Sequence, residues 1–215
     1  MRTAPWVAIL FALLLAAPLT AQRDPARLEV VLPAEPARAR EAPAIRTANV
    51  LSDRNLRDLL HSGFPARLHY RLELWEAGGV FDNLRSQAEW DVIVRYNPLE
   101  RRYSATRIEG DRVVSLGSYD QLDGAVRAMG APFQPALPQP SRAGRYYYIA
   151  ILDVEMLSVN DLSEVERWLR GELSPAFHGE RNPGTALSRG AQTLVTRLLG
   201  GRTMHYEART GIFRR

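Results

Sequence analysis

The 215-residue sequence contains no cysteine, and each of its 28 basic residues is arginine rather than lysine. The first absence excludes disulfides, cysteine-based metal sites and a lipid-modified cysteine anchor. The second leaves no lysine for a phosphate-cradling glycine loop. Also missing are HExxH, a nucleophile elbow, and any Gly-rich phosphate loop with its lysine. Gly78-Gly79 and Gly200-Gly201 lack both the lysine and a following helix start.

Charge narrows the partner classes. The chain carries +4; removing residues 1–21, whose only charge is Arg2, leaves +3. The arginines are interleaved with acids, as in Arg67, Arg71, Glu73 and in Glu164, Glu166, Arg167. A nucleic-acid binder gathers its basic residues on one face, so no nucleic acid is expected as a partner. A solvated, arginine-biased surface accounts for the composition, with an anionic partner such as a phospholipid head group as the alternative.

What is present begins with an export pattern. Met1-Arg2 supplies a positive start, Trp6 to Ala17 is an apolar run, Pro18 breaks it, and Leu19-Thr20-Ala21 offers a small-residue cleavage site before Gln22. Twelve apolar residues are too few for a spanning helix, which needs about 20, and suit a signal peptide over 1–21. An uncleaved anchor is the rival reading. The expected location is periplasmic or secreted, with no transmembrane span once the signal is removed.

Residues 22–44 hold Pro25, Pro33, Pro36 and Pro43 and read as a Pro/Arg-rich tether, in which Leu28 to Leu32 could add one edge strand. A single globular domain is expected over 45–213, with a C-terminal helical extension from about 174. Ser52 or Asp53 caps a short helix, Asn55 to His61, and Gly63 suits the left-handed position that ends it. Ala66 to Trp75 and Gln87 to Tyr96 alternate apolar and polar residues with period two, the mark of half-buried antiparallel strands. Arg102 to Ile108 and Val113 to Leu116 complete a four-strand meander. Ser118 with Gln121 reads as a capping box for a helix to Met129, with Tyr119, Leu122, Val126 and Met129 inward and Gly130 closing it. Ala131 to Gly144, with four prolines, is a loop. Tyr146 to Ser158 is the longest strand and, apolar on both sides in its first half, is placed centrally. Helices are expected over Asp161 to Leu169 and Leu187 to Leu198, and a last strand within Met204 to Phe213. The expected fold class is α+β, mostly antiparallel β: a β-sandwich-like sheet core with three or four peripheral helices.

Candidate chemistry is sparse, and no residue is assigned a catalytic, cofactor-binding or metal role. Of His61, His69, His178 and His205, His69 shares a strand face with Glu73, and His205 with Glu207. Either pair could bind a metal if a third ligand arrived from elsewhere. Asp153 and Glu155 could together hold a cation, but a solvated face explains them as well. Ser118 is better used as a helix cap than as a nucleophile. Tyr146, Tyr147 and Tyr148 could line a groove or simply pack, and the Leu187 to Leu199 helix could dock a partner or fold back on the sheet.

The segments Leu59 to Trp75 (LLHSGFPARLHYRLELW) and Glu89 to Tyr103 (EWDVIVRYNPLERRY) join a leucine helix, a glycine, an alternating strand ending near Glu-Leu, and a strand closing on Tyr-x-x-Leu-x-x-x-Tyr. Together with the helix before Gly130 and the long strand after Gly144, they resemble an exported bacterial family, the domain-of-unknown-function family 4390, over roughly 45–173. The resemblance carries no catalytic residues. It implies an envelope-sensing role, because members often lie beside a membrane sensor kinase gene. The expected function is a non-enzymatic periplasmic binding or accessory module for a membrane or envelope partner, with no cofactor. The alternative is a metal-dependent or other hydrolase without a recognisable motif.

Overall fold

The computed structural model describes residues 25–35, 37–157 and 203–214. Its strands are β1 (Arg27–Val31), β2 (Ala44–Ala48), β3 (Ala66–Glu76), β4 (Asn83–Asn97), β5 (Arg102–Glu109), β6 (Arg112–Tyr119), β7 (Arg145–Met156), β8 (Met204–Arg209) and β9 (Phe213–Arg214). Two α-helices join them among the described residues, α1 (Arg54–His61) and α2 (Leu122–Gly130). The further helices expected over 161–169 and 187–198 lie outside the described residues.

The alternation read from the sequence becomes one seven-stranded antiparallel sheet of order β6-β5-β4-β3-β7-β8, with β9 pairing the start of β7. The meander β3 to β6 grows outward from β3. After α2 and the proline loop, β7 returns to the free edge of β3, which makes β3 and β7 interior strands. The apolar residues of β3 (Ala66, Leu68, Tyr70, Leu72, Leu74) and of β7 (Tyr146, Tyr148, Ala150, Leu152, Val154, Met156) are all buried in one core. Burying a leucine-sized side chain contributes about 2 kcal/mol, so these two strands supply a large part of the hydrophobic stabilisation.

The second layer packs on that face. Helix α1 starts where the Asp53 side chain accepts the Leu56 N–H at 3.1 Å and buries Leu56 and Leu60. It ends at Gly63, whose φ of +95° opens the left-handed turn, with the Phe64 N–H returned to Leu59 O. Strands β1 and β2 form a separate two-stranded sheet. β1 lies against β7 and β8, and β2 against α2. Leu28, Ala42 and Ile45 belong to the main core, so the segment expected to act as a tether contributes packing ahead of Ile45.

The capping box at Ser118 is corrected. Ser118 lies in β6 opposite Ser104, and α2 begins after Gln121, whose side chain makes no capping hydrogen bond. A bulge at Gly117 (φ +123°) shifts the register between Ala105 and Thr106, and cross-strand pairing then continues to Tyr119, which faces Tyr103. Two ladder residues therefore prevail over a local cap. Tyr119 belongs to the strand rather than the helix, and the buried residues of α2 are Leu122, Ala125 and Met129.

The end of α2 presses on β2: a Cβ added at Gly130 would lie 2.4 Å from the Thr47 carbonyl oxygen. Gly130→Ala is therefore expected to lower stability by about 1–3 kcal/mol through overpacking, measured as a lower urea midpoint at unchanged m-value.

Candidate functional site: a charged sheet face and an apolar sheet end

The polar sides of the strands share one face of the sheet. Register aligns Asp91 (β4), His69 (β3), Asp153 (β7) and His205 (β8) in a single row across four strands. His69 Nδ1 lies 2.9 Å from Asp91 Oδ1, and His205 Nδ1 lies 2.7 Å from Asp153 Oδ1. The structure thus separates the pairs expected from the sequence. His69 meets Asp91 rather than Glu73, and His205 meets Asp153 rather than Glu207. Glu73 accepts the Trp75 indole N–H at 2.8 Å. Its other oxygen lies 2.8 Å from Arg71 Nε, at an angle outside hydrogen bonding, so that contact is coulombic. His61 stacks on Tyr96 and bonds the Tyr103 hydroxyl, and His178 lies outside the described residues. Among the described residues no three His, Asp or Glu side chains form a metal-ligand group.

Beside the row sits Arg67, only 1 % exposed. Its Nε and Nη2 donate to the two Asp91 oxygens at 2.9 and 3.2 Å, and its Nη1 donates to Glu155 Oε1 at 2.8 Å. The opposite charges on the polar sides of β3 and β4 anticipate cross-strand ion pairs, and Arg67–Asp91 is one. The burial of Arg67 was not legible, because alternation does not say whether the second face is covered. Burial alone would raise the Asp91 carboxyl, but the His69 hydrogen bond and the Arg67 guanidinium outweigh it and hold Asp91 below the ordinary carboxylate range. For Glu155 burial wins over Arg67 and raises it. The difference follows from geometry: Asp91 receives two guanidinium N–H groups and a histidine contact, whereas Glu155 receives one N–H.

The opposite, apolar face holds a cavity of about 120 Å³ between the sheet, β2 and α2, lined by Ile45, Thr47, Tyr70, Trp90, Arg107 and Phe133 among others. Burial pushes the Tyr70 hydroxyl up to about 12, partly offset by its hydrogen bond with Thr47. The Arg107 guanidinium lies 3.8 Å from the centre of the Phe133 ring. Small-molecule sites measure about 300–1,000 Å³, so this space is too small for a cofactor. Tyr146, Tyr147 and Tyr148 are buried, and they pack rather than line an open groove.

The third feature is the β3–β4 loop, which sequence reasoning passed over. Val80 is 86 % and Phe81 80 % exposed. They are held outward by a closed turn. The Gly78 N–H donates to Asp82 Oδ1 at 3.0 Å, the Tyr147 hydroxyl donates to Asp82 Oδ2 at 2.7 Å, and the Ala77 N–H donates to Arg145 O at 2.8 Å. A Cβ at Gly78 would stand 1.9 Å from the Phe81 carbonyl oxygen, so the turn requires glycine there. The hydrogen bond from Tyr147 and that from Gly78 lower the Asp82 carboxyl. The available signal was two large apolar residues directly after Gly78-Gly79.

Fold and site together define an antiparallel-sheet domain with one face built on a buried ion-pair network and one end bearing an apolar tip. The chain belongs to the family described as domain of unknown function (DUF4390), whose profile matches residues 47–160, just over half of its 215 residues. No curated protein and no solved structure matches it. No helix among the described residues is long and apolar enough to cross a membrane.

Removing one partner of a buried charge pair costs several kcal/mol. Asp91→Asn is expected to cost about 3 kcal/mol at pH 7, and Glu155→Gln less, because the Glu155 carboxylate is already disfavoured by burial. The pH dependence has a definite sign. The Asp91 pKa is lowered by folding, so its contribution is present above the ordinary aspartate range, near 4, and is lost as pH falls through the lowered value. Glu155 runs the other way: its contribution is present below the ordinary glutamate range and is lost as pH rises through the raised value. The Asp91→Asn deficit should therefore shrink below about pH 4, which urea midpoints measured across pH will show.

Proposed function

We propose that the protein is a non-enzymatic binding or accessory module for a membrane or envelope partner, exported through the apolar N-terminal segment. The observation that carries this reading is the loop tip: Val80 and Phe81 stand exposed on a turn fixed by three hydrogen bonds. A solvated loop has no need of two large apolar residues at its apex. A rigid turn that displays them loses little conformational freedom when a partner covers them. The groups that might have carried chemistry are meanwhile engaged with one another, His69 with Asp91, His205 with Asp153, and Asp91 and Glu155 with Arg67. In the same reading the β1–β2 pair is the short second layer of a sandwich-like fold.

Two measurements test it. The exported chain is expected to begin at Gln22, read from the intact mass of protein recovered from the periplasm or medium; a chain retaining Met1 to Ala21 there would refute cleavage. Immobilised full-length protein is expected to retain an envelope component from a detergent extract, and Phe81→Asp to lose it. Equal retention by the two proteins would overturn the role of the tip.

A further inference from the structure

Resting on that binding-module reading, we infer that the partner of the tip is an anionic phospholipid surface, contacted by the whole end of the sheet around the β3–β4 loop. The fold gathers at this end arginines that are far apart in the sequence. Arg85 follows the tip on β4. Arg142 lies in the loop just before β7 and Arg145 opens that strand, which is hydrogen-bonded to the stem of the tip through Ala77. Arg209 ends β8, its guanidinium 3.9 Å from the centre of the Tyr147 ring. Arg214 lies on β9 directly opposite Arg145. Like charges placed opposite each other on neighbouring strands are destabilising, and both of these residues are exposed. An anion lying across them removes that penalty.

Two acids stand among them: Glu76 pairs with Arg85, and Asp82, held by Tyr147 and Gly78, also faces Arg145 and Arg209, so the five arginines outnumber the two carboxylates. Exposed apolar side chains stand among the cations: Val80 and Phe81 at the tip, Leu84 beside it, and Ile212 just before β9. Apolar residues that enter the acyl boundary, ringed by arginines that meet head-group phosphates, are the chemistry of interfacial attachment to anionic membranes. An acidic protein groove could seat the tip as well, but Val80 and Phe81, Leu84 and Ile212 come from separate segments and are spread among the cations, which suits a broad surface better than one groove.

Because the chain has no native cysteine, a single introduced thiol reports on one position alone. Full-length Val80→Cys, labelled with an environment-sensitive fluorophore, is mixed with vesicles of phosphatidylethanolamine and phosphatidylglycerol, or with phosphatidylcholine vesicles. Labelled Leu99→Cys is the control: Leu99 is 94 % exposed on the β4–β5 turn at the far end of the sheet. The expected result is a blue shift at position 80 only, on the anionic vesicles only, weakened by salt. Phe81→Asp, and separately Arg145→Glu with Arg214→Glu, should each reduce vesicle co-sedimentation about tenfold. The apolar run 6–17 is common to every variant, so the difference between variants is the readout. All of these positions are exposed, and circular dichroism will verify that the fold is kept. No shift at position 80, or equal shifts at 80 and 99, overturns the lipid assignment. If retention of an envelope protein still depends on Phe81 in that case, the binding module stands with an acidic protein as its partner; if neither dependence is found, both readings fall.

Discussion

The buried guanidinium of Arg67 is the contact around which the sheet is organised. It sits on β3, the strand that joins the meander to β7, and bonds Asp91 on one neighbour and Glu155 on the other. The guanidinium fork meets one carboxylate bidentately and the other through its remaining arm. Hydrophobic pairing alone would tolerate a slip of two residues along β3, since Leu68, Leu72 and Leu74 are interchangeable in kind. Such a slip would carry Arg67 away from both partners and leave three charges buried without compensation, which is far costlier than repacking leucines. The network thus opposes a register shift that the apolar residues alone would permit.

The same register explains the charged row. With Arg67 opposite Glu155, His69 must face Asp153 on one side and Asp91 on the other, and His205 then follows opposite Asp153. Alternating histidine and aspartate across four strands looks like a ligand set when written as a list. In three dimensions each histidine bonds one aspartate. Asp91 is moreover shared with Arg67, and against the effect of burial the His69 hydrogen bond and the guanidinium together lower its pKa.

The sheet was readable because period-two alternation is a direct consequence of strand geometry. Every described strand of the meander falls where it was expected, with bounds that moved by a few residues, and α1 falls there as well. Reading failed where two local signals competed. Ser118 and Gln121 satisfy the capping pattern, yet the Gly117 bulge lets β6 run on through Ser118. It failed again where the answer is non-local. Nothing in RLHYRLELW distinguishes Arg67, buried, from Arg71, half-exposed, because the difference lies in β7, nearly ninety positions away (Arg67 to Glu155). Leu28 to Leu32 was legible as a strand, and β1 falls there, but Ala42 looked like tether; the burial of Leu28 depends on β7 and β8, which come later in the chain.

The arginines make the same point about function. Spread along the sequence and interleaved with acids, they argue against a binding patch. Strand order nevertheless brings several of them together. The antiparallel return of β7 beside β3, followed by β8 and β9 on its outer edge, delivers Arg145, Arg209 and Arg214 to the end already marked by Val80 and Phe81. Glu76 pairs with Arg85 and Asp82 is held in the turn, and the arginines gathered there outnumber these two acids. A dispersed charge count is therefore weak evidence about partners in an antiparallel sheet: each hairpin folds distant positions onto one end, and the register decides which charges remain facing outward.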